Sequence, residues 1–417
     1  MTGLRPTPPP GTSHADRPAD PRAGWLIVAA LVLTGLTMRS AVTSVGPLLT
    51  ELRQGLHISS GAAGVITTLP VLCFATIGSL APRLAHRFGY HRVVVLALAA
   101  STVGLLTRAL ARSFWVFLLL SVLALAGGAI ANILMPSLVK QHFPHQIGRM
   151  TAAYTTALAF GMTAAAGFSV PIADASGSWR YGLGVWAALS AVALLPWLAT
   201  IRGDRPEPEH GGSRIALSRL ARSRTAWALT VMFGFQSMQA YISFGWFAEF
   251  FRHQGLSATQ AGWLVAFYAG LSIPVSMLVP SLAARGQRRL VVVMSGCCAL
   301  AYLGMLLAPL GGAWLWMTLA GTGAGTFPLS LTMIGLRSRE ITMTSSLSGF
   351  VQAVGYLIAG GGPWLVGYLL DATDQNWTWP IVLLLFALAM SSAGGWLASR
   401  DVRVDDELAP ADPAFRR

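Results

Sequence analysis

Charge is what this sequence has least of. Only 11% of its 417 residues are Asp, Glu, Lys or Arg, 54% are hydrophobic, and the mean hydropathy is +0.59. Ordinary soluble domains carry roughly a quarter charged residues, so water is excluded as the main solvent and a lipid bilayer takes its place. Cysteine is nearly missing too: Cys73, Cys297 and Cys298 are odd in number and lie in apolar runs, which argues against a disulfide framework or a metal centre. HExxH, GxxxxGK[ST] and paired acids beside a histidine are absent, so no enzyme's machinery is present and no cofactor or metal is expected. The formal charge of +13 would suit nucleic acid. Its basic residues, however, fall in short segments between apolar runs, the pattern of topology signals, and nucleic acid is not an expected partner.

Twelve runs are long enough to cross a hydrocarbon core, which takes about 20 helical residues. They are 24–49, 59–82, 92–111, 114–140, 148–173, 180–201, 226–250, 258–284, 289–309, 313–336, 342–370 and 378–399. Helices are the economical form, because open backbone cannot be hydrated in lipid. The chain therefore reads as an all-α membrane protein. Residues 1–23, rich in Pro, Arg and Asp, are expected to be a disordered cytoplasmic tail. The run that follows is too long for a signal-peptide core and lacks a small-residue cleavage site, so it should stay as the first span. Residues 24–201 then form an N-terminal six-helix bundle, 202–225 a cytoplasmic linker, 226–400 a C-terminal six-helix bundle and 401–417 a cytoplasmic tail. Orientation follows from the basic residues. Arg53, Arg108, Arg112, Arg180 and Arg252 fall on one set of connections, and every other Lys and Arg except Arg39 falls on the opposite set, which puts both termini inside.

The two halves repeat. TGLTMRSAVTSVGPLLTELR aligns with FGFQSMQAYISFGWFAEFFR, pairing Gly35 with Gly234, Ala41 with Ala240, Ser44 with Ser243, Gly46 with Gly245 and Arg53 with Arg252. Parallel repeats of this kind occur in transporters whose halves meet at a central site near the membrane midplane and rock about it. The loop PRLAHRFGYHR after span two resembles the signature loop of the major facilitator superfamily, through Arg87, Gly89 and Arg92, residues that the resemblance implies act in conformational change. His86 stands where the acid of that signature usually falls. PSLAARGQRR after span eight is its shortened echo, with Ala284 at the acid position.

Finer motifs resemble the cyanate and 2-nitroimidazole transporter family: MRSAVTSVGPLL, ITTLPVLCFATIGSLAPRLA, ANILMPSLVKQHFP, MTAAYTTALAFG, FPLSLTMIGLRSRE and LSGFVQAVGYLIAGGGP, in that order. The resemblance departs at span one, where Thr37-Met38-Arg39-Ser40 replaces the usual Asn-Leu-Arg-Pro. It implies a major facilitator fold of two six-helix bundles in a bacterial inner membrane, expected to work as a monomer on a small-molecule substrate.

Arg39 is the centre of the expected site. A cation in mid-span costs roughly 2.5–3.5 kcal/mol on insertion scales, and no carboxylate lies mid-span to pair with it. Two readings are open: a guanidinium bound to helix carbonyls, or one awaiting a transient anion, for which its planar fork of donors is suited. The second is preferred, and the expected partner is a small anion such as cyanate, a carboxylate or a nitro-aromatic. In a major-facilitator arrangement spans one, four, seven and ten face the cavity, with two, five, eight and eleven as walls. Gln236 and Gln239 flank Met238, the repeat position opposite Arg39, and Asn132, Tyr154 and Gln352 add donors and acceptors. Each is equally suited to bridging two helices. Phe327 with Pro328, Tyr241, Trp246 and Tyr268 are candidates for an apolar or stacking wall, packing being the favoured role for Trp246. All 16 acids and all eight histidines avoid the span centres, so no embedded proton relay is expected. A coupling proton, if used, would travel on the substrate or on water. The rival reading is an exporter of drugs or other metabolites on the same scaffold.

Overall fold

In the computed structural model all regular backbone among the described residues, 21–201 and 217–408, is helical. Residues 1–20, 202–216 and 409–417, in the expected tails and linker, lie outside that set, as does the side chain of Ala284. Span one is built from pieces: α1 (Pro21–Thr37), the single turn α2 (Ser40–Thr43), a 3-10 turn at Gly46–Leu48 and α3 (Leu49–Leu56). Spans two to six are α4 (Ser60–Phe88), α5 (Tyr90–Ala109), α6 (Phe114–His142), α7 (Ile147–Ser176) and α8 (Trp179–Thr200). After the short α9 (Leu217–Leu220), span seven is α10 (Arg224–His253). Span eight comprises α11 (Ala258–Gly270) and the start of α12 (Ser272–Leu307), which kinks at Gly286 into span nine. Span ten is broken into α13 (Ala313–Gly323) and α14 (Thr326–Leu336), and α15 (Ile341–Ala372), α16 (Thr378–Ala398) and the short α17 (Val404–Leu408) complete the chain.

Helix starts are marked by serines whose hydroxyls take orphan backbone N–H groups, each worth about 1 kcal/mol. Ser59, Ser113, Ser178, Ser223 and Ser257 all do so. All twelve expected spans are present, and eleven are long and apolar enough to cross a membrane by length and composition. The exception is α10. It carries Thr230, Gln236, Ser237, Gln239 and Ser243, all buried, because protein rather than lipid covers it. It packs against α15 and α16.

The halves meet along α4 with α15 and along α7 with α11. These are spans two with eleven and five with eight, so each contact is the image of the other under the repeat. Both contacts are close. A Cβ on Gly367 of α15 would stand 2.2 Å from the Ser60 carbonyl oxygen of α4, and one on Gly262 of α11 would stand 3.1 Å from that of Ala166 on α7.

One end of the interface is latched, and it is the arginine-poor end. Arg53 pairs with Glu249 at 3.0 Å, Thr50 also donating to that carboxylate, and Arg252 pairs with Glu51 at 2.8 Å. Arg53 and Arg252 are equivalent in the repeat, so the pairs are reciprocal. The Asp371 carboxylate accepts from the backbone N–H groups of Ser60 (3.0 Å) and Gly61 (2.6 Å), capping α4 from the other half. Thr259 donates to Asp174 at 3.3 Å. Arg108, assigned by position to a connection at this end, is instead buried at 1% exposure. It stands on the last turn of α5, and its side chain turns onto span one, where it donates to the Ala41 carbonyl and to Ser44 Oγ.

Candidate substrate-binding site

Span one breaks where its arginine sits. Helix α1 stops at Thr37, and Arg39 (φ −123°, ψ 3°) caps the turn that follows. A break inside a membrane helix is tolerated only where protein or a cavity satisfies the freed backbone. Local hydroxyls supply part of this, Ser40 Oγ donating to the Thr37 carbonyl and Thr43 Oγ1 to that of Arg39. Neighbouring helices close on the break: a Cβ on Gly128 of α6 would meet the Met38 carbonyl oxygen at 2.5 Å. Glycine is the residue that permits this approach.

The Arg39 guanidinium lies between the two halves. Its central carbon is 5.2 Å from the centre of the Phe74 ring on α4, and Tyr241 of α10 and Tyr356 of α15 flank it. Tyr356 touches both of the other rings, Phe74 and Tyr241, each at 6.4 Å between centres. An aromatic collar of this kind contributes about 0.5–2 kcal/mol through cation–π attraction. Stripping water from an ion costs several kcal/mol, so the collar does not balance the charge. Among the described residues no carboxylate pairs with Arg39, no carbonyl accepts from its guanidinium, and its Nε is buried without a hydrogen-bond partner. The residue as a whole is half-buried. The Tyr241 hydroxyl, although beside the guanidinium, is also without a well-directed hydrogen bond.

The other expected residues divide into two groups. Gln352 lies one helical turn before Tyr356 on the same face of α15 and is held by Ser348, to whose Oγ it donates at 2.7 Å. Asn132 lies one turn beyond Gly128 on α6, half-buried, its amide free of protein partners among the described residues. Phe327 touches Phe233 (5.9 Å), which touches Tyr356 (5.2 Å), so it backs the collar. Tyr154 is buried in the first half's apolar cluster beside Met38. Gln236 is buried and accepts from Ser237 at 3.4 Å. Gln239 turns into its own half, where it accepts from the Tyr302 hydroxyl at 3.0 Å and donates to the Phe235 carbonyl at 3.2 Å. The two glutamines therefore do not act as one pair. Trp246 packs internally and donates to the Pro363 carbonyl at 3.1 Å.

Sequence reasoning missed Phe74, Tyr356 and the burial of Arg108. Tyr356 carried a usable signal, being four residues beyond Gln352. In the loop signature Gly89 (φ +93°) makes the turn between α4 and α5, a backbone shape that favours glycine. Arg87 lies over the Phe88 ring at 5.3 Å and Arg92 is exposed on the first turn of α5. His86, in the acid's place, meets Tyr90 edge-on, and its Nδ1 is buried and unpartnered.

Two repeated bundles of membrane helices, closed at one end around a polar centre, define a membrane transporter and not an enzyme. The chain belongs to the Major Facilitator Superfamily, whose family model matches residues 27–360. It is 37% identical over 385 residues to an uncharacterized Bacillus subtilis transporter, YycB, covering 90% of this chain and 94% of that one. It is 32% identical to the Escherichia coli 2-nitroimidazole transporter (91% and 96% covered) and 29% identical to the E. coli cyanate transport protein CynX (82% and 89%). Among solved structures, a bacterial homologue of the human lysosomal transporter Spinster superposes with a TM-score of 0.72 at 17% identity, covering 92% of this chain and 98% of that one. The E. coli xylose transporter XylE gives 0.71 at 12% identity (91% and 96%). These two likenesses concern the fold alone.

Proposed function

We propose that this transporter moves a small anion, cyanate-like, a carboxylate or a nitro-aromatic, by alternating access, with Arg39 as the residue that holds it. The observation carrying this reading is a guanidinium placed between the halves without a counter-charge. An anion arriving there would be met by the planar donor fork and by the Tyr241 and Tyr356 hydroxyls, with Asn132 and Gln352 as further polar contacts. Neutralising the cation lowers the cost of closing dry protein around it, which couples binding to movement without a titrating acid. The collar of three rings favours a flat or linear solute. Similarity to proteins named for 2-nitroimidazole and cyanate transport points the same way.

The positive-inside bias puts both termini in the cytoplasm of a bacterial inner membrane and the latched, arginine-poor end outside. One chain supplies both halves of the site, so a monomer suffices. Proteoliposomes carrying Arg39→Gln should lose uptake of labelled cyanate and 2-nitrobenzoate while the protein stays monodisperse; undiminished uptake would sink the proposal. Lipophilic cations should compete poorly with either anion, since an uncompensated arginine repels them.

A further inference from the structure

A second uncompensated arginine lies deeper in the closed half of the interface. Arg108 on α5 is 1% exposed. Its guanidinium donates to two neutral acceptors only, the Ala41 carbonyl at 3.1 Å and Ser44 Oγ at 3.4 Å, and its Nε has no partner. The cavity it lines leaves about 20 Å³ for the centre of a water-sized body, slightly above the roughly 10–15 Å³ that one water needs. Ser121 of α6, also 1% exposed, lines the same cavity with an unpartnered Oγ. Tyr241, whose hydroxyl is likewise unpartnered, forms the wall shared with Arg39. Thus one small space collects a buried cation, two buried hydroxyls without partners and no carboxylate among the described residues.

We infer that this cavity is a second anion site, for a monovalent inorganic anion no larger than a halide or cyanate. A guanidinium N–H and a serine O–H are donors, and the unmet partner of both is an acceptor. A negative charge also offsets a second demand, because the two guanidiniums share Tyr241 as a neighbour: it flanks that of Arg39 and lines the cavity of Arg108. Two like charges so placed repel in a weakly screened interior. Water satisfies the hydrogen bonds but not the charge. The cavity is also completed across the interface, by Tyr241 and Gly245 of the second half against Thr67 and Ala41 of the first. An anion there stabilises the state in which the arginine-poor end is shut. This goes beyond Arg39's proposed role and does not depend on it.

The test uses the purified full chain and sodium bromide against sodium gluconate at equal ionic strength. In the Arg39→Gln variant bromide should still raise the unfolding temperature saturably, by about 2–4 °C at well over its Kd. Adding Ser121→Val should abolish that rise. Crystals of the unaltered chain in bromide should show an anomalous peak within hydrogen-bond distance of Arg108 Nε and Ser121 Oγ, a reading that does not require the valine variant to fold. Cyanate giving the same Ser121-dependent rise would mark the occupant as a solute in transit, and bromide alone as a resident halide; either supports the site. A bromide effect that vanishes with Arg39→Gln, or a cavity holding water with no anomalous signal, overturns it. Failure of anion uptake at Arg39 would leave the bromide result standing, so the two readings fail separately.

Discussion

At the scale of single residues, the difference between binding and bridging is decided by where each polar atom already has its partner. Gln239 is spent: its oxygen and its amide both bond within the second half. Interhelical hydrogen bonds in membranes average about 0.6 kcal/mol, so Gln239→Leu should lower thermal stability slightly and leave anion affinity unchanged. Tyr356 differs, because its ring sits against Phe74 beside the unpaired guanidinium. A hydrogen bond to a charged group is worth about 1.5–3 kcal/mol. Tyr356→Phe should therefore raise the cyanate Kd by roughly tenfold or more, measured by calorimetry, with little change in unfolding temperature. An unchanged Kd would remove Tyr356 from the site.

At the scale of elements, the interruption of span one and the closeness of its neighbours belong together. A glycine at position 46 lets the short turn before α3 rest on the Phe244 carbonyl of α10, where a Cβ would stand at 2.0 Å. Gly46→Val should keep the halves apart at the arginine-poor end. Reactivity of a cysteine placed near Arg39 towards an impermeant thiol reagent should rise several-fold from that side, and no rise would contradict the steric account. At the other end α17 helps to hold α10. Glu407 accepts from the Thr225 N–H at 3.1 Å and from Thr225 Oγ1 at 2.9 Å, and from the Ser223 hydroxyl. Burial pushes this carboxyl's pKa up, but the hydrogen bonds from Ser223, Thr225 and the Arg224 backbone outweigh it and hold it below the ordinary 4.5. A carboxyl depressed on folding adds stability that is complete above about pH 4.5 and fades as pH falls through the lowered value. Glu407→Gln should accordingly flatten the acid limb of a pH–stability curve and lower the plateau above it.

At the scale of the whole molecule, the scarce acids find a use. Glu51, Asp174, Glu249 and Asp371 each reach across to the opposite half at the arginine-poor end. Among the described residues no acid stands at mid-membrane. Both ion pairs are half-buried at the molecule's end; at about 1 kcal/mol each, the upper end for surface pairs, the latch stabilises the closed end by a few kcal/mol at most, small enough for a bound anion to tip. Glu249→Gln removes one ion pair and should enlarge the population open at that end by roughly fivefold, for a loss of about 1 kcal/mol. Spin-label distances across the α3–α10 ends would report it as growth of a longer component; an unaltered distribution would show the pair to be idle.

What could be read along the chain and what could not divide on the same physical line. Hydropathy reports whether a segment prefers lipid or water, a property of neighbouring residues. It therefore determined the solvent and the twelve spans; the placement of Lys and Arg marked the arginine-poor face, residue identities between the halves revealed the repeat, and Arg39 stood out as a cation without a mid-span acid. Hydropathy placed α10 among the spans by its apolar run, although that helix, with its buried Thr230, Gln236, Ser237, Gln239 and Ser243, is not among the eleven long and apolar enough to cross by length and composition. Which side of a helix meets which neighbour is set by rotation and packing against segments far away in sequence, and no local pattern encodes that. Only the tertiary structure brought Phe74, Tyr241 and Tyr356 around Arg39, turned Gln239 away, drew Arg108 out of a connection into the interior, and assigned the outer acids to opposite halves. A membrane span is chosen by its solvent, but a binding site is chosen by the contacts between spans.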